Sequence, residues 1–277
     1  VTDRPADLPD FDRPPVSEVV LGLQFGSLTE LRSAHIGFLW AKFRGRYPTV
    51  TEHPPLDPSF ETFGSVTTAE FPEIRLQQLL QLPFPRYWFE NAIGDELCQV
   101  QQDRFVHNWR KRDKDLEYPR YETVRGRLVA DLAVFEEFLS QEDLGSLTFN
   151  QVEVTYTNTI DLPDSDDPHG AIARVVSVWS DIGTPERELE DVNFRTRYII
   201  KKDSVPHARL HVSVTPVLRR PTLAKAVQLQ LTMRGKPDGV DRESALSFLD
   251  EGRSVIVKAF AELTTKTMHK HWGRRDV

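Results

Sequence analysis

The sequence predicts an α+β protein made of two halves, each an antiparallel sheet with helices on one face. Three observations lead there. Runs of strand length, dense in Val, Ile, Leu and aromatic residues, recur along the chain. Longer segments with apolar residues three and four apart interrupt them. The order of the two kinds, β-α-(β)βββ-α and then β-α-βββ-α, repeats at pattern level, without residue identity between the halves. Strands so closely spaced favour antiparallel hairpins. Two such halves can form one curved sheet. TATA-binding-like and helix-grip proteins are the analogies, and a fold alone does not carry a function.

Residues 1–15 are rich in Pro, Asp and Arg and read as an extended arm. The first half covers 16–145. It opens with a Val- and Leu-rich strand over 16–25. Ser27 and Glu30 have the spacing of a capping box. Leu28, Leu31, Ile36, Leu39, Trp40 and Phe43 then recur at helical spacing until Pro48. Pro54, Pro55 and Pro58 make 49–59 an extended loop. Strands are predicted over 60–66, 74–82, 86–91 and 96–109. A charged loop follows at 111–119, then a helix over 123–139 with Gly145 as its terminator.

The second half, 146–277, begins again with a long strand over 147–160. An acidic loop, 161–167, leads into a predicted helix over 168–179 with Pro168 in its first turn. After a polar connection, strands are predicted over 193–202, 208–217 and 226–234. Asp241 then caps a long helix carrying Leu246, Leu249, Ile256, Phe260 and Leu263. Residues 265–277 form a basic tail. The halves are expected to make one compact unit.

Composition narrows the class of protein. With 39% hydrophobic, 10% aromatic and 28% charged residues among 277, the chain is globular rather than disordered. No apolar run approaches the ~20 residues that span a bilayer. Val1-Thr2-Asp3-Arg4-Pro5 lacks the apolar core of a signal peptide. The single cysteine, Cys98, rules out an intrachain disulfide and a cysteine-rich zinc site. A cytoplasmic location is expected. There is no phosphate-loop, dinucleotide, nucleophile-elbow or zincin signature. A net charge of −7 argues against non-specific coating of DNA.

Several stretches together resemble a family of sporadically distributed, uncharacterised bacterial proteins. They are Pro14-Pro15-Val16-Ser17-Glu18-Val19-Val20, Gln99-Val100-Gln101-Gln102-Asp103-Arg104-Phe105 leading to Asn108-Trp109-Arg110, and Tyr118-Pro119-Arg120-Tyr121-Glu122. Tyr156-Thr157-Asn158-Thr159-Ile160-Asp161 and Leu263-Thr264-Thr265, with His269 and Trp272, complete the set. The resemblance runs from about Pro14 to Trp272. It implies a bacterial cytosolic protein and no particular reaction. A patchy distribution suits mobile accessory genes, such as toxin-neutralising or phage-defence systems.

The most unusual segment runs from Asp103 to Arg127, where arginines and lysines alternate with Phe105, Trp109, Tyr118 and Tyr121. If 96–109 is one strand, Arg104, Asn108 and Arg110 share a face. Arginine forks beside aromatic planes suit phosphate and base recognition. Arg104, Asn108, Arg110, Arg120 and Tyr121 are therefore the candidate ligand-binding residues, for an anion or a nucleotide. The competing reading is a network of surface ion pairs with Trp109 in the core.

Other clusters point to structure. Asp161, Asp164, Asp166, Asp167 and His169 lack the Gly and Glu of a calcium loop and read as a solvated helix approach. His207 and His211 on a strand stand about 13 Å apart, too far for one metal. His269 and His271 point to different faces. Cys98 reads as a buried small hydrophobe, and Asp103 and His107 are too far apart along a strand to act together. No metal and no cofactor are expected. The leading expectation is a non-enzymatic binding protein that presents a surface to a protein partner. A binder, or enzyme, of nucleotides or anionic small molecules at Arg104–Tyr121 is the alternative, and a nucleic-acid-binding factor the third reading.

Overall fold

The computed structural model describes residues 4–64, 84–113, 116–180, 184, 186, 189–219 and 221–275. In chain order the elements are β1 (Asp10–Phe11), β2 (Val16–Phe25), α1 (Ser33–Phe43), β3 (Thr49–His53), β4 (Arg86–Glu90), β5 (Glu96–Gln101), β6 (Arg104–Arg110) and α2 (Tyr121–Gln141). Then come β7 (Phe149–Asp161), α3 (Ile172–Val175), β8 (Phe194–Lys202), β9 (Val205–Arg219), β10 (Ala224–Gly235), α4 (Arg242–Leu263), α5 (Lys266–His271) and β11 (Arg274–Arg275). The class is α+β. Nine strands form one antiparallel sheet in the order β3-β4-β5-β6-β2-β7-β10-β9-β8.

The two long strands β2 and β7 pair at the middle of the sheet. From that pair, β6, β5, β4 and β3 extend one way and β10, β9 and β8 the other. On each side the last strand of the sheet is followed by a long helix, α2 or α4, laid on the same face. Alternation builds this layering. Val19, Leu21, Leu23 and Phe25 of β2, Val152 and Val154 of β7, and Leu229, Leu231 and Met233 of β10 are buried under the helices. From above, α2 contributes Leu128, Leu132 and Phe135, and α4 contributes Leu249, Ile256 and Phe260. A Cβ at Gly252 would stand 2.9 Å from Val154, so glycine is what lets α4 settle this closely on β7.

Several elements differ from the sequence expectation, each for a local reason. Helix α1 starts at Ser33, not after Ser27. Leu28 and Leu31 are buried in a turn instead, where Leu28 N donates to Gln102 O. The 96–109 run is two strands, because the chain reverses at Gln102-Asp103 and Phe25 N donates to Asp103 O. The 168–179 helix is the single turn α3, since Val176 bridges to Thr264 and Ser177 N donates to Leu263 O. Thr49–His53 is an edge strand on β4 rather than loop. Residues 60–64 are not a strand, and 65–66 and the predicted 74–82 strand lie outside the described residues.

The arm is docked on its own chain. Phe11 is buried with its ring against Phe260, His269 and Trp272, and β1 pairs with β11. Asp241 caps α4 as expected, accepting from Ser244 N. No described helix is long and apolar enough to cross a membrane.

Candidate functional site

The sheet face opposite the helices is polar. Register places Trp88, Gln99, Val106, Gly22, Glu153, Arg234 and Arg209 in one row across seven strands, from β4 to β9. Among the described residues no helix covers this face. Residues 54–64 cross it instead. Leu56 N donates to Gln101 Oε1 and Leu56 O accepts from Gln101 Nε2. Asp57 O accepts from Arg104, Ser59 N donates to Gln24, and Ser59 Oγ bonds Arg234. Farther on, the Glu61 carboxylate lies between Arg209, His211 and Arg234.

Beneath this strap is a cavity of about 330 Å³. That is within the range of small-molecule sites. Val20, Leu56 and Val106 give it apolar walls. Gln24, Gln99, Gln151, Glu153, Arg86, Arg104 and Arg234 give it polar ones. Gln99 is 7% exposed and Gln151 4%. Gln99 Nε2 donates to Asn108 Oδ1 at 2.7 Å, which leaves Gln99 Oε1 without a partner among the described residues. Gln151 Nε2 and Arg86 Nε lack one in the same sense. A buried donor or acceptor left unpaired costs about 1–3 kcal/mol. Three residues of one cavity wall thus carry buried polar atoms without a partner among the described residues.

The described lining of the cavity carries three guanidiniums, of Arg86, Arg104 and Arg234, and one carboxylate, of Glu153. Glu153 is engaged by Arg234 at 2.6 Å. Among the described residues, Arg86 and Arg104 face no carboxylate at ion-pair distance; Arg104 is held by the neutral Gln24 Oε1 and Asp57 O. Burial, and then the charge of Arg104, lowers the proton affinity of the Arg86 guanidinium; burial lowers that of Arg104. Arg86 also lies over the Trp88 ring, which stacks on His53 at 3.8 Å.

The five sequence candidates are not brought together. Arg104, Asn108 and Arg110 do share the open face of β6. Arg104 lines the cavity. Asn108 bridges Gln99 and Glu18, and Arg110 pairs with Glu90 at 2.6 Å. Arg120 and Tyr121 stand on the helix side, at the start of α2. Arg120 pairs with Asp10 of the arm, and Tyr121 Oη donates to Asp250 at 2.8 Å. They line a separate small pocket with Tyr118, Tyr156 and Arg253. Burial pushes the hydroxyls of Tyr118 and Tyr121 far up and that of Tyr156 up to about 12, so all three are neutral at physiological pH.

The remaining clusters are engaged elsewhere. No group of three or more His, Cys, Asp or Glu among the described residues is placed to hold a metal. His207 meets Glu251 and His211 meets Glu61. In the acidic loop, Asp166 pairs with Arg174 and Asp167 accepts from Gly170 N. His107 bonds Asp131 in the core rather than Asp103. Cys98 is fully buried, and that burial pushes its thiol well up.

Sequence reasoning missed Arg86, Gln99, Gln151, Arg234, Arg209, His211 and Glu61. The signal for most of them was present: amides and arginines at alternate positions of otherwise apolar strands. No known protein-family model, curated protein or solved structure matches this chain.

Proposed function

We propose that the protein binds an anionic ligand of nucleotide size in the cavity on the helix-free face of its sheet. One observation carries the reading: Gln99 Oε1, Gln151 Nε2 and Arg86 Nε are all buried and unpaired among the described residues in the wall of that cavity. An amide acceptor and an amide donor match the hydrogen-bonding edge of a heterocycle. Val20, Leu56 and Val106 offer surface to its ring. Arg86 and Arg104 supply positive charge. The test is calorimetric titration of nucleotides and small phosphates into wild type and the Gln99→Leu/Gln151→Leu variant. Binding by wild type and its loss in the variant are expected. Equal binding by both proteins overturns the assignment of the cavity.

A protein-partner reading is favoured by a different feature. Edge strand β8 exposes Tyr198 and Ile199 beside Val205, at 44%, 49% and 64%. An open edge of this kind accepts an added strand. Membership of the sporadically distributed bacterial family, with a role in a mobile accessory system, belongs with this second reading. A stoichiometric partner captured by wild type, and lost on Ile199→Lys, would support it.

A further inference from the structure

The cavity is half of a larger site, and the chain itself occupies the other half. Beyond Arg234, which lines the cavity, lie Arg209 and His211 of β9. The three side chains converge on one carboxylate, that of Glu61. Its Oε2 takes the Arg209 guanidinium. Its Oε1 takes His211 Nε2 at 2.6 Å, which leaves Arg234 Nη1 at 3.6 Å. A carboxylate has only two oxygens for three donor groups. A phosphoryl group has three, and suits guanidinium forks equally well. Glu61 is 5% exposed at its side chain and Arg209 13%, while Arg234 and His211 keep 25% and 30%, so the carboxylate is largely removed from water within a partly open cluster.

The segment carrying Glu61 is held for release. Its bonds to the sheet run through side chains: Gln101, Arg104, Gln24, Arg234 and Arg209. Among the described residues, no backbone-to-backbone hydrogen bond ties 54–64 to the strands. Displacing it breaks no ladder among the described residues. Charge favours the exchange. Among the described residues, Glu61 and Glu153 are the carboxylates at ion-pair distance from the four guanidiniums of Arg86, Arg104, Arg234 and Arg209, with Asp103 and Asp57 acting on Arg104 from farther off; when Glu61 leaves, Glu153 alone of the described carboxylates stays paired with them.

The geometry points to Arg209, His211 and Arg234 as a phosphate subsite continuous with the cavity, and to Glu61 as an intramolecular stand-in that a phosphate-bearing ligand displaces. This rests on the cavity reading for the rest of the ligand. In it, the heterocycle of a nucleotide meets Gln99 and Gln151 while its phosphate replaces the Glu61 carboxylate. The nucleotide can be free or part of a single-stranded RNA; the phosphate chemistry at the subsite is the same.

The experiment compares wild type with Glu61→Gln and Glu61→Ala. Probes are the four ribonucleoside monophosphates, their nucleosides, inorganic pyrophosphate and a labelled single-stranded RNA of ~10 nucleotides, within the reach of one sheet face. Either substitution is expected to tighten binding of a phosphate-bearing probe by about tenfold, and to leave nucleoside binding unchanged. Adding Arg209→Ala should erase the gain. Amide exchange in 56–64 should rise when the phosphate probe binds. Tighter monophosphate binding identifies the free nucleotide as the source, and a gain confined to RNA identifies the nucleic acid. Unchanged affinity in both Glu61 variants, or no binding of any phosphate probe to any of the proteins, overturns the proposal. If Gln99→Leu/Gln151→Leu loses binding while the Glu61 variants match wild type, the cavity stands and the subsite falls. If the Glu61 variants tighten pyrophosphate while the Gln variant keeps its nucleotide binding, the subsite stands and the cavity falls.

Discussion

The two faces of the sheet are cut from the same strands and treat polar groups in opposite ways. On the helix side, Asp131 of α2 is buried and saturated. Arg46 Nη1, Tyr47 Oη and His107 Nδ1 all reach its carboxylate, at 2.9, 2.6 and 3.0 Å. Glu96 beside it takes Arg46 and Arg127. On the open side, buried amides and a guanidinium keep atoms unpaired among the described residues. The first pattern stabilises a fold through a completed network. The second costs stability, and under the proposed function it is the part of the sheet that a ligand would complete. The contrast is sharp but not absolute, since His107 Nε2 on the helix side is also without a partner among the described residues.

The largest effect should come from the completed network. Asp131→Ala strands Arg46, Tyr47 and His107 and is expected to cost about 3–5 kcal/mol in urea unfolding. Close behind is Phe135→Ala, in the stack with Phe105 and Phe138, at about 3–4 kcal/mol. On the open face, Gln99→Leu/Gln151→Leu removes two unpaired atoms but also the Gln99–Asn108 bond, leaving Asn108 Oδ1 buried without its donor, and should cost about 1–3 kcal/mol. A loss as large as that of Asp131→Ala would erase the distinction between the faces.

Glu61 sharpens the comparison through pH. Burial raises the proton affinity of its carboxyl, but the bond from His211 and the charges of His211, Arg209 and Arg234 outweigh burial and hold it below the ordinary value. A carboxyl depressed in the folded state stabilises at neutral pH and loses that contribution as pH falls through the folded-state value. The stability gap between wild type and Glu61→Gln should therefore close in acid. A gap that persists or widens would mean that Glu61 is not charged in the strap. The smallest effect concerns Cys98. Its thiol is protonated and enclosed, so native protein should resist alkylation by iodoacetamide while unfolded protein reacts.

Much of the layering was legible in the sequence, because period-two strands and period-3.6 helices announce themselves. Asp241 at the start of α4 and the apolar faces of β2, β7 and β10 are examples. Helix ends were less legible. Ser27 and Glu30 carry a capping pattern, yet Leu28 and Leu31 gain more from burial in a turn against the β5–β6 hairpin. The candidate site was legible only in part. Arg104 and Asn108 were grouped correctly on one face, since strand alternation determines that. Arg120 and Tyr121 were grouped with them by nearness in sequence. The chain leaves the sheet after Arg110 and starts α2 in the other layer, which separates them. The contact between Glu61 and Arg209 joins residues 148 apart, and no local pattern encodes it.

The most direct test of the account is native mass spectrometry of the protein as purified, wild type beside Gln99→Leu/Gln151→Leu, before and after addition of nucleoside monophosphates. A bound small mass is expected on wild type, carried through purification or acquired on addition, and none on the variant. A wild type that stays bare under both conditions, or a variant that carries the same mass, would contradict it.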